Sequence, residues 1–397
     1  MIGPINPDLI DTATPPIPEA RSWLAAYNGA HGVAINLAQA VPGAPPPPAM
    51  LAQLAAEAGR AERASYGPIM GDPELVAAYA TDVQDVYGAT PSASEIAITS
   101  GCNEAFFVTA LALAKAGEAI LLPTPWYFNH AMTLRMLGIM ALPLPTHAAR
   151  GFVPDPEEAA AVLRAHAAAH PRVPVRALVL VTPNNPTGAI APAEVVAAFG
   201  ALAEAHKCWL VLDETYRDFR HTQSVAPHRL LQTPGTRTRL IQLYSFSKAY
   251  AIPGHRLGAL IAPEAAMAEI GKVLDCIQIC APRAAQAAVA WAIPALRSWR
   301  QETARRVLTR GSLFAEGLKA AQAWQIAAQG AYFAYVRHPF PGMQSVEVAR
   351  RLAIETGILA LPGSYFGPGQ DAFLRFAYAN AGDAGAAEAG ARLAVLR

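Results

Sequence analysis

The chain has 397 residues, of which 53% are hydrophobic and 15% charged, and its formal net charge is +1. That balance describes a well-buried globular protein and excludes disorder along most of its length. It carries neither a basic run that would track a nucleic-acid backbone nor an acidic tail, so the expected partners are small molecules and a second copy of the chain.

The N-terminus, Met1 to Ala20, has five prolines and no positive charge ahead of a long apolar stretch. Neither a signal nor a transit peptide is expected, and the cytoplasm is the default location. A proline-rich hinge follows from Val41 to Pro48. From Glu95 to Pro263 short apolar runs alternate with helical segments, the pattern of a sheet covered by helices on both faces. The runs begin at Ile96, Ala119, Met140, Ala177, Trp209, Leu240 and Leu257 and predict seven strands. Helices are predicted between them, for example over Glu104 to Lys115, Pro156 to Ala169 and Pro192 to His206, each opened by a polar or proline start signal. Wholly apolar strands joined by helices favour mostly parallel pairing.

Beyond Pro263 the segments lengthen. Arg283 to Lys319 reads as helical with interruptions at Pro294 and Gly311, and a shorter α+β segment begins at Ile326. The expected fold is therefore α/β: a mostly parallel seven-stranded sheet flanked by helices, with a smaller α+β domain. Its expected divisions are an N-terminal arm over 1–45 that returns to the small domain, a large domain over 46–285, and a linking helix with the small domain over 286–397.

No uninterrupted apolar stretch reaches the roughly 20 residues needed to span a bilayer, because Pro294 cuts the nearest candidate. The cysteines at 102, 208, 276 and 280 are too scattered for a disulfide framework. Cys276 and Cys280, placed four apart on an expected helix, lack a second ligand pair. His166 and His170 lack a third ligand, and a solvated helix end explains them better than a metal.

In an open α/β sheet ligands bind at the carboxyl ends of the strands, and there the chain concentrates its chemistry. Lys248 lies in Ser-Phe-Ser-Lys-Ala-Tyr-Ala-Ile-Pro-Gly-His-Arg-Leu-Gly, from Ser245 to Gly258. An amine that must be neutral to attack an aldehyde, set beside hydroxyls and an arginine able to bind a phosphate, suits a pyridoxal phosphate Schiff base. Asp213 ends an apolar strand, where a carboxylate is costly unless a cation pairs with it. A protonated pyridine nitrogen is one such cation, and an N-cap role for the following segment is the plainer reading. Thr182-Pro-Asn-Asn-Pro-Thr-Gly would hold the Asn185 amide rigidly as a donor, and Tyr216 could reach the same ligand oxygen.

Thr99-Ser-Gly-Cys-Asn-Glu opens a helix, so the free N–H groups of Gly101, Cys102 and Asn103 form an anion site. Ser245, Ser247 and Arg256 would complete a phosphate cup. Tyr127, in Pro-Trp-Tyr-Phe, offers a ring to stack on a pyridine, although core packing accounts for aromatics there almost as well.

In this order and spacing the stretches resemble the class I/II aminotransferases of fold-type I pyridoxal phosphate enzymes. Ile35-Asn-Leu-Ala-Gln-Ala, Tyr66-Gly-Pro-Ile-Met-Gly, Asp213-Glu-Thr-Tyr, the Lys248 run, Pro362-Gly-Ser-Tyr-Phe-Gly and Leu374-Arg-Phe-Ala-Tyr-Ala carry the resemblance across nearly the whole chain. It implies that Lys248 holds pyridoxal 5′-phosphate, that Asp213 pairs the ring nitrogen, and that Asn185 and Tyr216 contact the 3′ oxygen. It also implies that Arg375 clamps the substrate α-carboxylate, with Asn185 and Ala38 on the substrate side, and that Tyr66 reaches the phosphate of the neighbouring subunit in a homodimer. Where many relatives carry glycine, this chain has Ala38 and Ala40, whose methyls would narrow the substrate pocket. Arg283 is either a distal-carboxylate ligand or a structural arginine, the latter favoured.

The implied reaction moves an amino group between an L-amino acid and a 2-oxo acid in ping-pong order. Spacing alone does not separate it from a cysteine-S-conjugate type β-lyase or other Cα, Cβ or Cγ chemistry, nor does it identify the amino acid. A non-catalytic effector-binding domain is the remote alternative; the stretch before Ile35 leaves no room for a winged helix, and Lys248 is intact.

Overall fold

The computed structural model describes residues 3, 5–221 and 225–396. Thirteen strands are present among them: β1 (Ile35–Asn36), β2 (Ile96–Thr99), β3 (Ala119–Thr124), β4 (Met140–Pro145), β5 (Val175–Val181), β6 (Trp209–Asp213), β7 (Leu240–Ser245), β8 (Gly258–Ile261), β9 (Gln325–Gly330), β10 (Phe333–Arg337), β11 (Ile358–Leu359), β12 (Leu361–Pro362) and β13 (Phe373–Phe376).

The seven strands expected from the apolar runs form one sheet in the order β2-β8-β7-β6-β5-β3-β4. Its pairs are parallel except those made by β8, which runs against both β2 and β7. Successive side chains on a strand point to opposite faces, and each face is covered here. Leu178, Leu180, Leu210 and Leu212 enter one apolar cluster, while Ala177, Val179 and Val211 enter another across the sheet. Burial on both sides explains why the inner strands read as continuous apolar runs rather than alternating ones, while the edge strand β4 is largely uncovered.

Helix starts follow local chemistry. The helix Pro156–Ala169 has the expected bounds, with the Asp155 carboxylate accepting from the Glu157 N–H and proline at the first turn. Pro294 sits in the last turn of the helix Arg283–Ala295, and a new helix, Arg297–Leu318, begins after Leu296. Gly311 does not interrupt that second helix, contrary to expectation. A Cβ there would lie 2.9 Å from the Tyr378 hydroxyl and 2.8 Å from Gln329 Nε2, so the glycine admits a close contact. The helix Glu264–Ile277 ends before Cys280, whose sulfur instead accepts from the Gly67 N–H at 3.4 Å.

A second, antiparallel sheet, β12-β13-β10-β9, forms a small domain. The arm strand β1 pairs in parallel with β11, and Leu37 enters the apolar cluster of Leu374 and Phe376. Among the described residues no helix is long and apolar enough to cross a membrane.

Candidate active site

Strands β2, β3, β5, β6 and β7 all end at one edge of the large sheet. The antiparallel β8 starts at that edge, immediately after Arg256. A cavity of about 280 Å³ opens there, lined by Cys102, Asn103, Tyr127, Asn185, Asp213, Tyr216, Ser245, Ser247, Lys248, Arg256 and Arg375. Residues scattered from 102 to 375 thus converge because five strand ends and β13 bring them together.

Lys248 follows β7 in the short helix Phe246–Ala249, and its amine donates to the Ala40 carbonyl at 2.5 Å. Burial, reinforced by the Arg256 and Arg375 charges, pushes the amine down to about 8. A lysine so placed is readily neutral and nucleophilic.

Asp213 is buried at the end of β6. Its carboxylate faces His130 Nε2 at 3.2 Å and accepts from the Thr215 N–H at 3.0 Å. Burial alone would raise this carboxyl, but the His130 and Thr215 contacts outweigh it and hold the group below the usual range. His130 stacks on Phe106 with centroids 3.9 Å apart, and it was not singled out from the sequence. Its position after Pro-Trp-Tyr-Phe was the only local signal; the contact with Asp213 is tertiary.

Arg375, on β13, is 1% exposed. Nη1 donates to Asn185 Oδ1 at 2.9 Å, Nη2 donates to the Ala38 carbonyl, and Nε is buried without a partner. Burial pulls the guanidinium down to about 10. No carboxylate of the described residues pairs with it, so a buried cation without an anionic partner lines the cavity.

Arg256 donates to the Pro253 carbonyl at 2.8 Å and the Ser100 carbonyl at 3.3 Å. Gly101 does not line the cavity. It precedes the helix Cys102–Leu113 at φ 96°, and a Cβ on it would collide with the Arg256 guanidinium. Glycine there lets the cation approach the helix N-terminus. Ser245 Oγ accepts from the Ser247 N–H at 3.3 Å. Burial and the neighbouring Asp213 charge push the Cys102 thiol well up, which keeps it a thiol rather than a nucleophile.

Tyr127 lines the cavity and its hydroxyl accepts from Asn129 Nδ2 at 2.8 Å, with burial raising it to about 12. Trp126 lies outside the lining and packs on Gly367. Tyr216 is buried against Tyr332 and Phe333, with ring centroids 5.1 Å away in both cases.

Three expected positions fall elsewhere. Tyr66 is 78% exposed, outside the cavity of its own chain. Ala38 reaches the site through its carbonyl, while its side chain belongs to the apolar cluster of Phe128 and Leu361; Ala40, not Ala38, lines the cavity. The Ala38 methyl therefore does not narrow the pocket, and Ala40, which meets Lys248 through its carbonyl and packs on the small-domain cluster, is the one of the two at the cavity wall. Arg283 ion-pairs with buried Asp72 at 3.1 Å and donates to the Glu62 carbonyl at 2.7 Å, the structural role favoured for it. Among the described residues no group of three His, Cys, Asp or Glu side chains is placed to hold a metal.

This donor set suits a ligand with an aldehyde, an aromatic ring carrying a basic nitrogen, and a phosphate. Residues 33–393 match the family model for aminotransferase class I and II, and the chain belongs to that family. It is a pyridoxal 5′-phosphate-dependent transaminase. The chain is 28% identical to the aspartate aminotransferase of Pyrococcus abyssi, over 80% of each protein. It is also 28% identical to the valine–pyruvate aminotransferase of Mycobacterium tuberculosis, over 92% of each. Among solved structures, the fold matches the Thermus thermophilus aspartate aminotransferase with maleate at a TM-score of 0.87, 24% identity and full coverage of both chains. An aminotransferase from Mycobacterium tuberculosis matches at 0.87, 25% identity and 99% of each chain. These names do not favour the β-lyase alternative, and the enzymatic family sets aside the effector-domain reading.

Proposed function

We propose that the chain moves an amino group between an L-amino acid and a 2-oxo acid in two half-reactions of ping-pong order, with Lys248 as the residue that holds the cofactor and carries the proton. The observation that supports it most is the Lys248 amine, pushed down to about 8 in the cavity it shares with Asp213, Arg256 and Arg375. When bound, pyridoxal 5′-phosphate supplies an aldehyde that exchanges between amines and a ring that accepts the electron pair left at Cα.

Asp213, kept ionised by His130 and Thr215, pairs with the ring nitrogen and keeps it protonated. Asn185 Nδ2 and the Tyr216 hydroxyl orient the 3′ oxygen, and Tyr127 stacks on the ring. The N–H groups of Gly101, Cys102 and Asn103, the hydroxyls of Ser245 and Ser247, and Arg256 hold the phosphate. Arg375 clamps the substrate α-carboxylate beside Asn185 and the Ala38 carbonyl, which gives the buried guanidinium the anionic partner it lacks. With the carboxylate so fixed, the Cα–H bond would be held toward Lys248 Nζ, the amine that would take up the proton as base and give it back as acid.

The exposure of Tyr66 fits a residue lent to the site of a second subunit in a homodimer. The arm–β11 pairing supports an arm over 1–45 that packs with the small domain, while the large-sheet cluster runs on through Ala288, Val289, Ile293 and Leu296, which extends the large domain past 285 into the linking helix. Lys248→Ala is expected to abolish turnover and the visible absorbance of the bound cofactor; transamination at the unmodified rate in that variant would sink the assignment.

A further inference from the structure

Once Lys248, Asp213, Arg256 and Arg375 have roles, part of the cavity wall remains without one. Val181 is level with Asp213 in the sheet, the Thr215 N–H bonds the Asp213 carboxylate, and the Pro253 carbonyl bonds Arg256. These three therefore belong to the ring and phosphate ends. Ile17, Gln39, Ala40, Val41 and Phe128 are left.

Their place follows from contacts to the two residues that flank Cα. The Ala38 carbonyl accepts from Arg375 and the Ala40 carbonyl accepts from Lys248 at 2.5 Å, so the arm runs from the carboxylate clamp past the amine. Phe128 tilts against Phe366 with centroids 5.7 Å apart, and the Arg375 guanidinium carbon lies 5.1 Å from the Phe366 ring. Ile17 packs on the same apolar cluster, which also holds Leu361. Beside the carboxylate clamp, then, the wall is mainly hydrocarbon.

Among the described residues, three of the four neighbouring guanidiniums are committed. Arg375 and Arg256 serve the two anions already assigned, and Arg283 is tied to Asp72 and to the Glu62 and Ser65 carbonyls. The fourth, Arg21, is exposed, does not line the cavity and donates to Gln39 Oε1, so the wall itself presents a neutral amide, Gln39 Nε2, as its polar group. A second carboxylate on the substrate would be stripped of water here against hydrocarbon and an amide.

We propose that the amino donor is an amino acid with a neutral side chain, aliphatic, aromatic or amide, and that Ile17, Val41 and Phe128 select it against dicarboxylic amino acids. The proposal rests on Arg375 as the α-carboxylate clamp. The purified holoenzyme, without any 2-oxo acid, is mixed with leucine, methionine, phenylalanine, glutamine, aspartate and glutamate, and the change in cofactor absorbance is timed. The best neutral donor is expected to react at least about 100-fold faster per unit concentration than aspartate or glutamate.

Equal or faster reaction of a dicarboxylic donor overturns the proposal, and loss of that reaction in Arg21→Ala would place the missing cation on Arg21. Ile17→Arg is expected to raise aspartate relative to leucine by about 10-fold or more. Should that variant not fold, the comparison on the unmodified enzyme still decides. If no amino acid reacts although the cofactor absorbance is present, the reading of Arg375 and Lys248 fails first, and the substrate class with it.

Discussion

Arg375 and Asn185, from β13 of the small sheet and the loop after β5 of the large one, meet at 2.9 Å inside the cavity. The bond ties the two sheets together at the cavity that both residues share with Lys248, with the proposed substrate clamp on one sheet and the proposed cofactor groups on the other. Arg375→Lys keeps a charge but loses the planar fork. Amino-acid kcat/KM is expected to fall roughly 100-fold or more, with pyridoxal phosphate affinity nearly retained. Steady-state kinetics alongside a cofactor titration separates the two effects.

The Lys248 amine gives the pH prediction. Only the neutral amine attacks an aldehyde, so capture of pyridoxal phosphate by the apoprotein is expected to accelerate as pH rises through about 8. The linked effect on stability has the same direction. Between about 8 and the ordinary 10.5 the unfolded chain binds a proton at this lysine that the folded chain does not, so this group makes apoprotein stability rise with pH across that window. Because the Arg375 charge helps depress the amine, Arg375→Gln should move the rate midpoint upward. A midpoint near 10 in the unmodified protein would contradict the site geometry.

Gly101→Ala adds a methyl against the Arg256 guanidinium at a backbone angle that disfavours side chains. Arg256 must then withdraw from the helix N-terminus. Pyridoxal phosphate binding is expected to weaken about 10-fold to 100-fold, while binding of pyridoxal, which lacks the phosphate, changes little. Equilibrium dialysis with both compounds checks this.

Asp213→Asn removes the carboxylate that would keep the ring nitrogen protonated, and the rate of Cα proton removal should drop by roughly 100-fold or more. His130→Phe preserves stacking on Phe106 but loses the 3.2 Å contact that lowers Asp213. It should give a smaller loss and shift the acid limb of the pH–rate profile upward, because the carboxyl then protonates at higher pH. Stopped-flow measurement with α-deuterated substrate isolates that step.

Much of this was legible in the sequence for a local reason. A strand buried on both faces must be apolar along its length, so the apolar runs announced the strands of the large sheet, the half-exposed edge strand β4 being apolar without that burial. The loops after them carry contiguous motifs, and Asn185, Asp213, Tyr216, Lys248 and Arg256 could be singled out because each sits at a strand end. The resemblance to a known family supplied Arg375, whose partners lie far away along the chain. Gly311 was misread for the opposite reason: its value is a close approach by Tyr378 and Gln329, which no helix period records.

By itself, then, the sequence determined the alternation of strands and helices, the chemistry available at the strand ends and the family. Hydrophobic periodicity and short motifs act within a few residues, and they survive in a linear reading. Only the tertiary structure decided that His130 holds Asp213, that Arg283 is tied to Asp72, and that Ala38 offers its carbonyl while Ala40 lines the cavity. Those relationships depend on which distant surfaces pack together, and burial at that packing is what lowers the Lys248 amine and leaves Arg375 with a donor to spare.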